Sequence, residues 1–390
     1  MSRKLLVPLS ILIVVSLIAG CKPAPKEPIK IGLQAPITGE FAYEGEGFVK
    51  CVNLVTEQIN DAGGILGGRK IEIVKCDDVG KPDESSKCAN QLVSAGVAAV
   101  VGSYSSTCTE PASEIYNEAG LLQITPSSTA TRLSQKGFQR FFRVCFLDDR
   151  QGLFAANFML EKLGVKKAVF LHDNSTYAKG LAEWAEKYYK EAGGESLLID
   201  AINPEDTDFK PILTKIDGLG PGAVYFTGYH PQGGLLLKQS KELGVKFQWV
   251  MGNACNNPEM IEIAGLDAAK GTYITTEPLP KDIPGDVAKK FYNDFVAKYG
   301  EPPASIWWVM SADALNVVVE AMKATNSTDS EKMAEYLHTK FKDYPGVTGN
   351  IIGLMRRATA WGPSMRLTLS PTLASSRWSS RPHTAQGVRG

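Results

Sequence analysis

Two hydroxyl-rich turns carry the most chemistry in this chain: Gly102-Ser103-Tyr104-Ser105-Ser106-Thr107 and Thr125-Pro126-Ser127-Ser128-Thr129. Each follows a short apolar stretch that reads as a strand, residues 98–101 and 121–124, and the first turn opens a helix that contains Pro111 and stops at Gly120. Hydroxyls and free backbone N–H groups would therefore converge at neighbouring strand ends, where a small carboxylate can be held without a metal or a catalytic base. The plainer alternative is that these serines and threonines cap helices and close turns.

The periodicity around the turns supplies the elements that would position them. An apolar run at residues 29–34 precedes a helix over about 45–60, with Phe48, Val52, Val55 and Ile59 on one face and Gly63-Gly64 at its end. The same strand and helix unit recurs at 71–75 with 82–94, at 98–101 with 110–118 and at 167–171 with 177–192. It continues at 197–201 with 209–216, at 223–226 with 234–243 and at 247–251 with 258–264. Alternation at this spacing predicts an α/β protein with parallel sheets covered on both faces, and the two clusters of units predict two doubly wound lobes.

The N-terminus reads as an export signal. Arg3 and Lys4 precede an apolar run that ends in Ile18-Ala19-Gly20-Cys21, the pattern of a lipoprotein signal peptide over residues 1–20 with acylation at Cys21. Residues 21–27 would then be a Pro/Lys linker tethering a domain to the outer face of a membrane. The apolar run is shorter than the roughly 18 residues of a spanning helix. Balanced charge, with 42 basic and 42 acidic residues, gives no footprint for nucleic acid. Six cysteines besides Cys21 show no C-x-x-C spacing, so disulfides are the first expectation outside the cytoplasm and buried thiols the second. Cys88 with Cys108 is the expected pair, because both are placed at helix starts beside the same turn.

An enzyme is not expected. The chain has four histidines and lacks a Gly-x-Ser-x-Gly elbow, a phosphate loop and a His-Glu-x-x-His pair. The glycines of Gly63-Gly64-Ile65-Leu66-Gly67-Gly68 close a helix and precede a strand, the wrong placement for a dinucleotide. No metal or cofactor is predicted.

A set of short matches in fixed order resembles a known family. Ile31-Gly32-Leu33-Gln34-Ala35-Pro36-Ile37-Thr38-Gly39, Cys76-Asp77-Asp78, Val101-Gly102, Pro111-Ala112-Ser113, Phe142-Arg143-Val144, Asp148 with Gln151-Gly152, and His172-Asp173 with Tyr177 are similar to the leucine/isoleucine/valine-binding proteins of ABC importers. The resemblance covers about residues 28–352. It implies a type I periplasmic-binding fold crossed three times by the chain, with lobe 1 at residues 28–144 and 275–349 and lobe 2 at 145–274. It also implies a small amino-acid ligand, a membrane permease as partner, a monomer, and a periplasmic or outer-surface location.

Carried over from that family, the carboxylate cradle falls on Ser106 and on Ser127, Ser128 and Thr129, and Tyr43, Tyr177 and Tyr229 fall on aromatic positions around the ligand, with Trp308 near another. An ammonium group needs an acid opposite it. Relatives carry an acidic residue where this chain has Ala254, within Asn253-Ala254-Cys255. Asp148, which resembles an amine-binding aspartate of related receptors, is the expected substitute, although an acid at a helix start is also an ordinary cap. The alternative is a ligand without a free amine, or a sensory module with the same pocket.

Composition changes abruptly near the end. No arginine occurs between Arg150 and Arg356, whereas six occur from Arg356 to Arg389 in a stretch without Lys, Asp or Glu. Residues 350–390 are expected to be an aberrant tail produced by a single-base frameshift near Gly353, the alternative being a disordered basic tail. The frameshift would leave an unpaired edge on the second sheet, and resequencing the DNA there tests it.

Overall fold

The computed structural model describes residues 26–351 together with the backbone of Thr368–Ser370. The leader, Cys21 and most of the tail lie outside the described residues.

The first lobe is built as β1 (Ile29–Ala35), α1 (Ala42–Asp61), β2 (Ile71–Asp77), α2 (Pro82–Ser94), β3 (Ala99–Val101), α3 (Ser106–Glu118), β4 (Leu122–Thr125) and β5 (Phe141–Arg143). Its five strands are parallel in the order β2-β1-β3-β4-β5. The second lobe contains α4 (Asp148–Asn157), β6 (Lys167–His172), α5 (Thr176–Glu191), β7 (Glu195–Ala201), α6 (Lys210–Leu219), β8 (Ala223–Thr227), α7 (His230–Leu243), β9 (Gln248–Met251), α8 (Pro258–Ala264) and β10 (Tyr273–Thr276). Its parallel strands follow the order β7-β6-β8-β9-β10, the same winding as the first sheet.

Helices α9 (Asp286–Tyr299), α10 (Ile306–Thr325) and α11 (Ser330–Thr339) follow, then a hairpin of β11 (Tyr344–Gly346) and β12 (Gly349–Ile351). Ion pairs and hydrogen bonds bring α9 and its end to α1, Asp294 to Gln58 (2.8 Å) and Glu301 to Lys50 (2.6 Å), so this segment covers the first sheet. Buried Asp313 of α10 holds the hairpin by accepting from the amides of Val347 (2.7 Å) and Thr348 (2.8 Å) and from the Thr348 hydroxyl (2.6 Å). The chain then returns to the second lobe, where β13 (Thr368–Ser370) pairs antiparallel with β10. The β10 edge, expected to be open, is covered along these three residues.

Hydrophobic burial explains the architecture. Every residue of β3 and β8 is buried, as both faces of a parallel strand must be when helices cover them. Phe48, Val52 and Val55 of α1 pack in the largest apolar cluster, which runs through the connection at Val144, Cys145 and Phe146 into the second lobe. No described helix is long and apolar enough to cross a membrane.

The disulfide differs from expectation. Cys76 at the end of β2 bonds Cys88 in the middle of α2, with Cα atoms 5.7 Å apart, while Cys108 is a buried free thiol. Helix α2 folds straight back along the strand it follows, and Cys88 lies well inside that helix rather than at its start. Both cysteines therefore join one apolar cluster between the first sheet and helices α2 and α3, whereas Cys108 is fixed in the first turn of α3.

Candidate functional site

The turn after β3 depends on one glycine. Gly102 has φ +132°, and a Cβ there would sit 2.1 Å from the Gln34 carbonyl oxygen, so only glycine lets the turn pack against β1. Ser105 caps α3 by accepting from the Cys108 amide (3.1 Å). The cap leaves Ser106 and Thr107 in the first helical turn, where backbone N–H groups have no partner within the helix.

Hydroxyls stitch this turn to the one after β4. Thr125 donates to the Ser103 carbonyl (2.9 Å), Ser127 donates to the Tyr104 carbonyl (2.8 Å), and Ser106 Oγ accepts from the Ala130 amide (3.2 Å). Ser128 is fully buried, sharing a hydrogen bond with Thr109 (2.7 Å) and reaching the carbonyls of Ser103 and Tyr104. Behind them, Asp78 accepts from the Ser103 hydroxyl and from Gln34 Nε2 (3.2 Å). The two turns are thus one rigid unit.

Opposite them stand the strand ends of the second lobe. Ser175 caps α5 and places Tyr177 in its first turn, and Tyr229 precedes the first residue of α7. The Tyr177 and Tyr229 ring centroids lie 5.6 Å apart, and Tyr229 packs 4.6 Å from Phe41 of the first lobe. Tyr177 donates to Asn253 Oδ1 (2.7 Å) in the turn after β9.

Between the lobes lies a small pocket. The first lobe lines it with Tyr104, Ser105, Ser106, Ser127, Thr129 and Trp307, and the second with Tyr177, Tyr229, Asn253 and Ala254. Of the residues expected from sequence, Ser106, Ser127, Thr129, Tyr177 and Tyr229 meet here. Ser128 faces inward to join the turns, and Tyr43 packs at a tilt on Trp308 (ring centroids 5.1 Å apart) away from the cavity wall, where Trp307 stands. Tyr104, Ser105, Asn253 and Trp307 were not singled out for the site by sequence. The first two belong to the quoted hydroxyl turn, and Asn253 follows a strand end, so position alone offered a signal for them.

Asp148 is completely buried at the start of α4, and neither carboxylate oxygen has a hydrogen-bond partner. Burial raises its pKa to about 7, opposed by the neighbouring Thr129 side chain and the Arg143 charge. Glu277, just beyond β10, is also buried, and the same loss of hydration raises it to about 8. Glu44 in α1 is raised to about 7, again by burial first.

The lobes touch on both sides of the cavity. Glu110 of α3 accepts from Arg132 and from the Thr176 hydroxyl (3.1 Å), Arg132 also donates to Thr176 (2.8 Å), and Trp184 donates to Thr131 (3.2 Å). Elsewhere between the lobes Gln232 donates to Glu40 (2.9 Å) and Asn257 to Glu44 (3.4 Å). This is a closed arrangement, and polar contacts inside it act in a medium of low dielectric.

Comparison with known proteins agrees with this geometry. The sequence pattern described as "Periplasmic binding protein" matches residues 28–364. A leucine-, isoleucine-, valine-, threonine- and alanine-binding protein of Pseudomonas aeruginosa is 34% identical over 325 residues, 83% of this chain and 85% of that one. Among solved structures, a leucine-binding protein of Thermotoga maritima superposes with a TM-score of 0.78 at 30% identity, covering 83% of this chain and 91% of that one. A branched-chain amino acid transporter substrate-binding protein of Streptococcus pneumoniae, in complex with isoleucine, gives 0.76 at 32%, with coverage of 84% and 92%. Two equivalently wound parallel lobes meeting at hydroxyl-bearing strand ends, together with these likenesses along most of the chain, establish that it belongs to the periplasmic binding protein family, beside the leucine/isoleucine/valine-binding proteins of ABC importers.

Proposed function

We propose that this protein captures a small amino acid with an apolar side chain and delivers it to a membrane permease, without chemical change. The observation that carries this reading is the cavity, where the cross-bonded hydroxyl turns of one lobe face Tyr177 and Tyr229 of the other. The ligand carboxylate docks on Ser106, Ser127 and Thr129 and on the first-turn amides of α3. The second lobe then closes, the tyrosines and Ala254 cover the apolar side chain, and the Glu110, Arg132 and Thr176 contacts hold the lobes together. Thioether lipid on Cys21 keeps a monomer at the outer face of the membrane, close to its permease. Ser128 acts by holding the two turns in register.

One observation favours a second reading: no side chain lining the cavity is charged, and position 254 offers only a methyl group. On that reading the ligand is a small carboxylate or amide without an amine. Thermal-shift screening against leucine, isoleucine, valine, alanine, threonine and their amine-free counterparts separates the two. A Ser106→Ala, Thr129→Ala double variant should lose the shift, and retained binding would place the ligand elsewhere.

A further inference from the structure

Enclosing an ammonium group in a closed cavity without a counter-charge is strongly unfavourable, so a zwitterionic ligand requires an acid within reach. Two buried carboxylates stand one side chain behind the cavity wall. Asp148 adjoins Thr129, but the positive charge of Arg143 already acts on it. Glu277 adjoins Asn253, and the groups that act on its carboxyl are its own backbone, Thr276 and Asn253, with no cation among them. Its Oε2 accepts from the Thr276 hydroxyl (3.2 Å), and Asn253 Nδ2, which makes no other hydrogen bond, is turned to the same carboxyl. The side chain is 3% exposed. An acid buried this deeply, met only by a hydroxyl and by the amide of a wall residue and by no cation, is arranged for a guest that brings positive charge.

Resting on the proposed binding reading, we infer that Glu277 is the specificity-determining acid of this site, neutralising the ammonium end of a zwitterionic ligand through the Asn253 side of the cavity in place of the acid absent at Ala254. Glu277 sits on the segment that leaves the second sheet for the first lobe, and an arriving ammonium favours release of its proton to solvent, leaving the charge that the ligand meets. Asn253 is anchored by Tyr177 through Oδ1, which turns its other end toward Glu277. The site then selects α-amino acids over carboxylates of the same shape by the amine alone.

Isothermal titration with L-leucine and with 4-methylpentanoate, the same skeleton without its amine, tests this on the whole protein. The parent should prefer leucine by about 100-fold, and Glu277→Gln should weaken leucine at least about tenfold while leaving 4-methylpentanoate within about threefold. Glu277→Asp, which keeps the charge, should recover part of the preference, a result that a merely structural role would not give. If Glu277→Gln binds leucine as the parent does, while the Ser106→Ala, Thr129→Ala variant does not bind it, the assignment of Glu277 is overturned and the cavity stands. If the double hydroxyl variant binds leucine unchanged, or the parent binds neither compound, the cavity reading falls and the assignment with it.

Discussion

Neutralising Glu277 should change how the ligand-free protein responds to pH, and the structure sets the size of the change. Its carboxyl has an ordinary value of 4.5 and is raised to about 8 in the fold because burial removes the water that would solvate the anion. A raised acid binds its proton more tightly in the folded chain, so the associated stability is present in full below the unfolded value and is lost as pH rises through the folded value. Between pH 6.5 and about 8 the native chain retains one proton that the unfolded chain has released. At about 1.4 kcal/mol per pH unit the parent therefore loses about 2 kcal/mol over that span relative to Glu277→Gln. Other groups also titrate nearby. His230 is pushed down to about 4 by burial, Asp148 and Glu44 are raised to about 7, and the buried thiols Cys51, Cys108, Cys145 and Cys255 are raised. Subtracting the variant's profile from the parent's removes groups that titrate alike in both. Urea unfolding at half-unit steps from pH 6.5 to 8.5 supplies the two curves. Parallel curves would refute the claim that Glu277 is held protonated by its surroundings.

Other changes have equally specific outcomes. Opening the 12-residue separation closed by Cys76 and Cys88, through Cys76→Ser with Cys88→Ser, should cost about 3 kcal/mol in chemical denaturation, since the unfolded chain regains the closed loop's entropy. Gly47→Ala would place a Cβ 2.0 Å from the Trp308 ring and should cost about 1–3 kcal/mol, with a shift in tryptophan emission reporting the displaced ring. Glu110→Gln removes the acceptor charge, held below the usual carboxylate range chiefly by Arg132 against the opposing effect of burial, that links the lobes through Arg132 and Thr176. Ligand release measured by stopped flow should quicken about threefold to tenfold, and the difference should shrink at high salt.

The strands and helices were legible because their signals are local. Pro82 opens α2 and Ser94 ends it as the sequence predicts, and residues 258–264 form the expected helix. The hydroxyl turns stood out in the sequence because small polar residues cluster directly after two short apolar strands, and the same residues also cap and close turns, as Ser105 does. Longer-range relations were not legible. Cys88 offered no sign that its partner lay on the preceding strand, since that depends on how α2 settles against β2. Ser128 has the same residue type as its neighbour Ser127, yet one points into the packing between turns and the other lines the cavity, a difference set by backbone direction. Glu277 became visible only once burial and hydrogen bonding were known, because nothing in Thr276-Glu277-Pro278 distinguishes a solvated acid from an enclosed one.

Because both sheets follow the same winding, each lobe offers its own reversal of strand order to the cleft, and the proposed binding chamber is composed of two half-sites of common design. The half proposed to meet the carboxylate is locked by bonds among its own hydroxyls, whereas the facing half contributes individual side chains on the turns after β6, β8 and β9. On the proposed function, diet and docking are thereby separable properties: substitutions on the facing turns would retune which solute is accepted while the anion grip, and the closed shape presented outward, stay as they are.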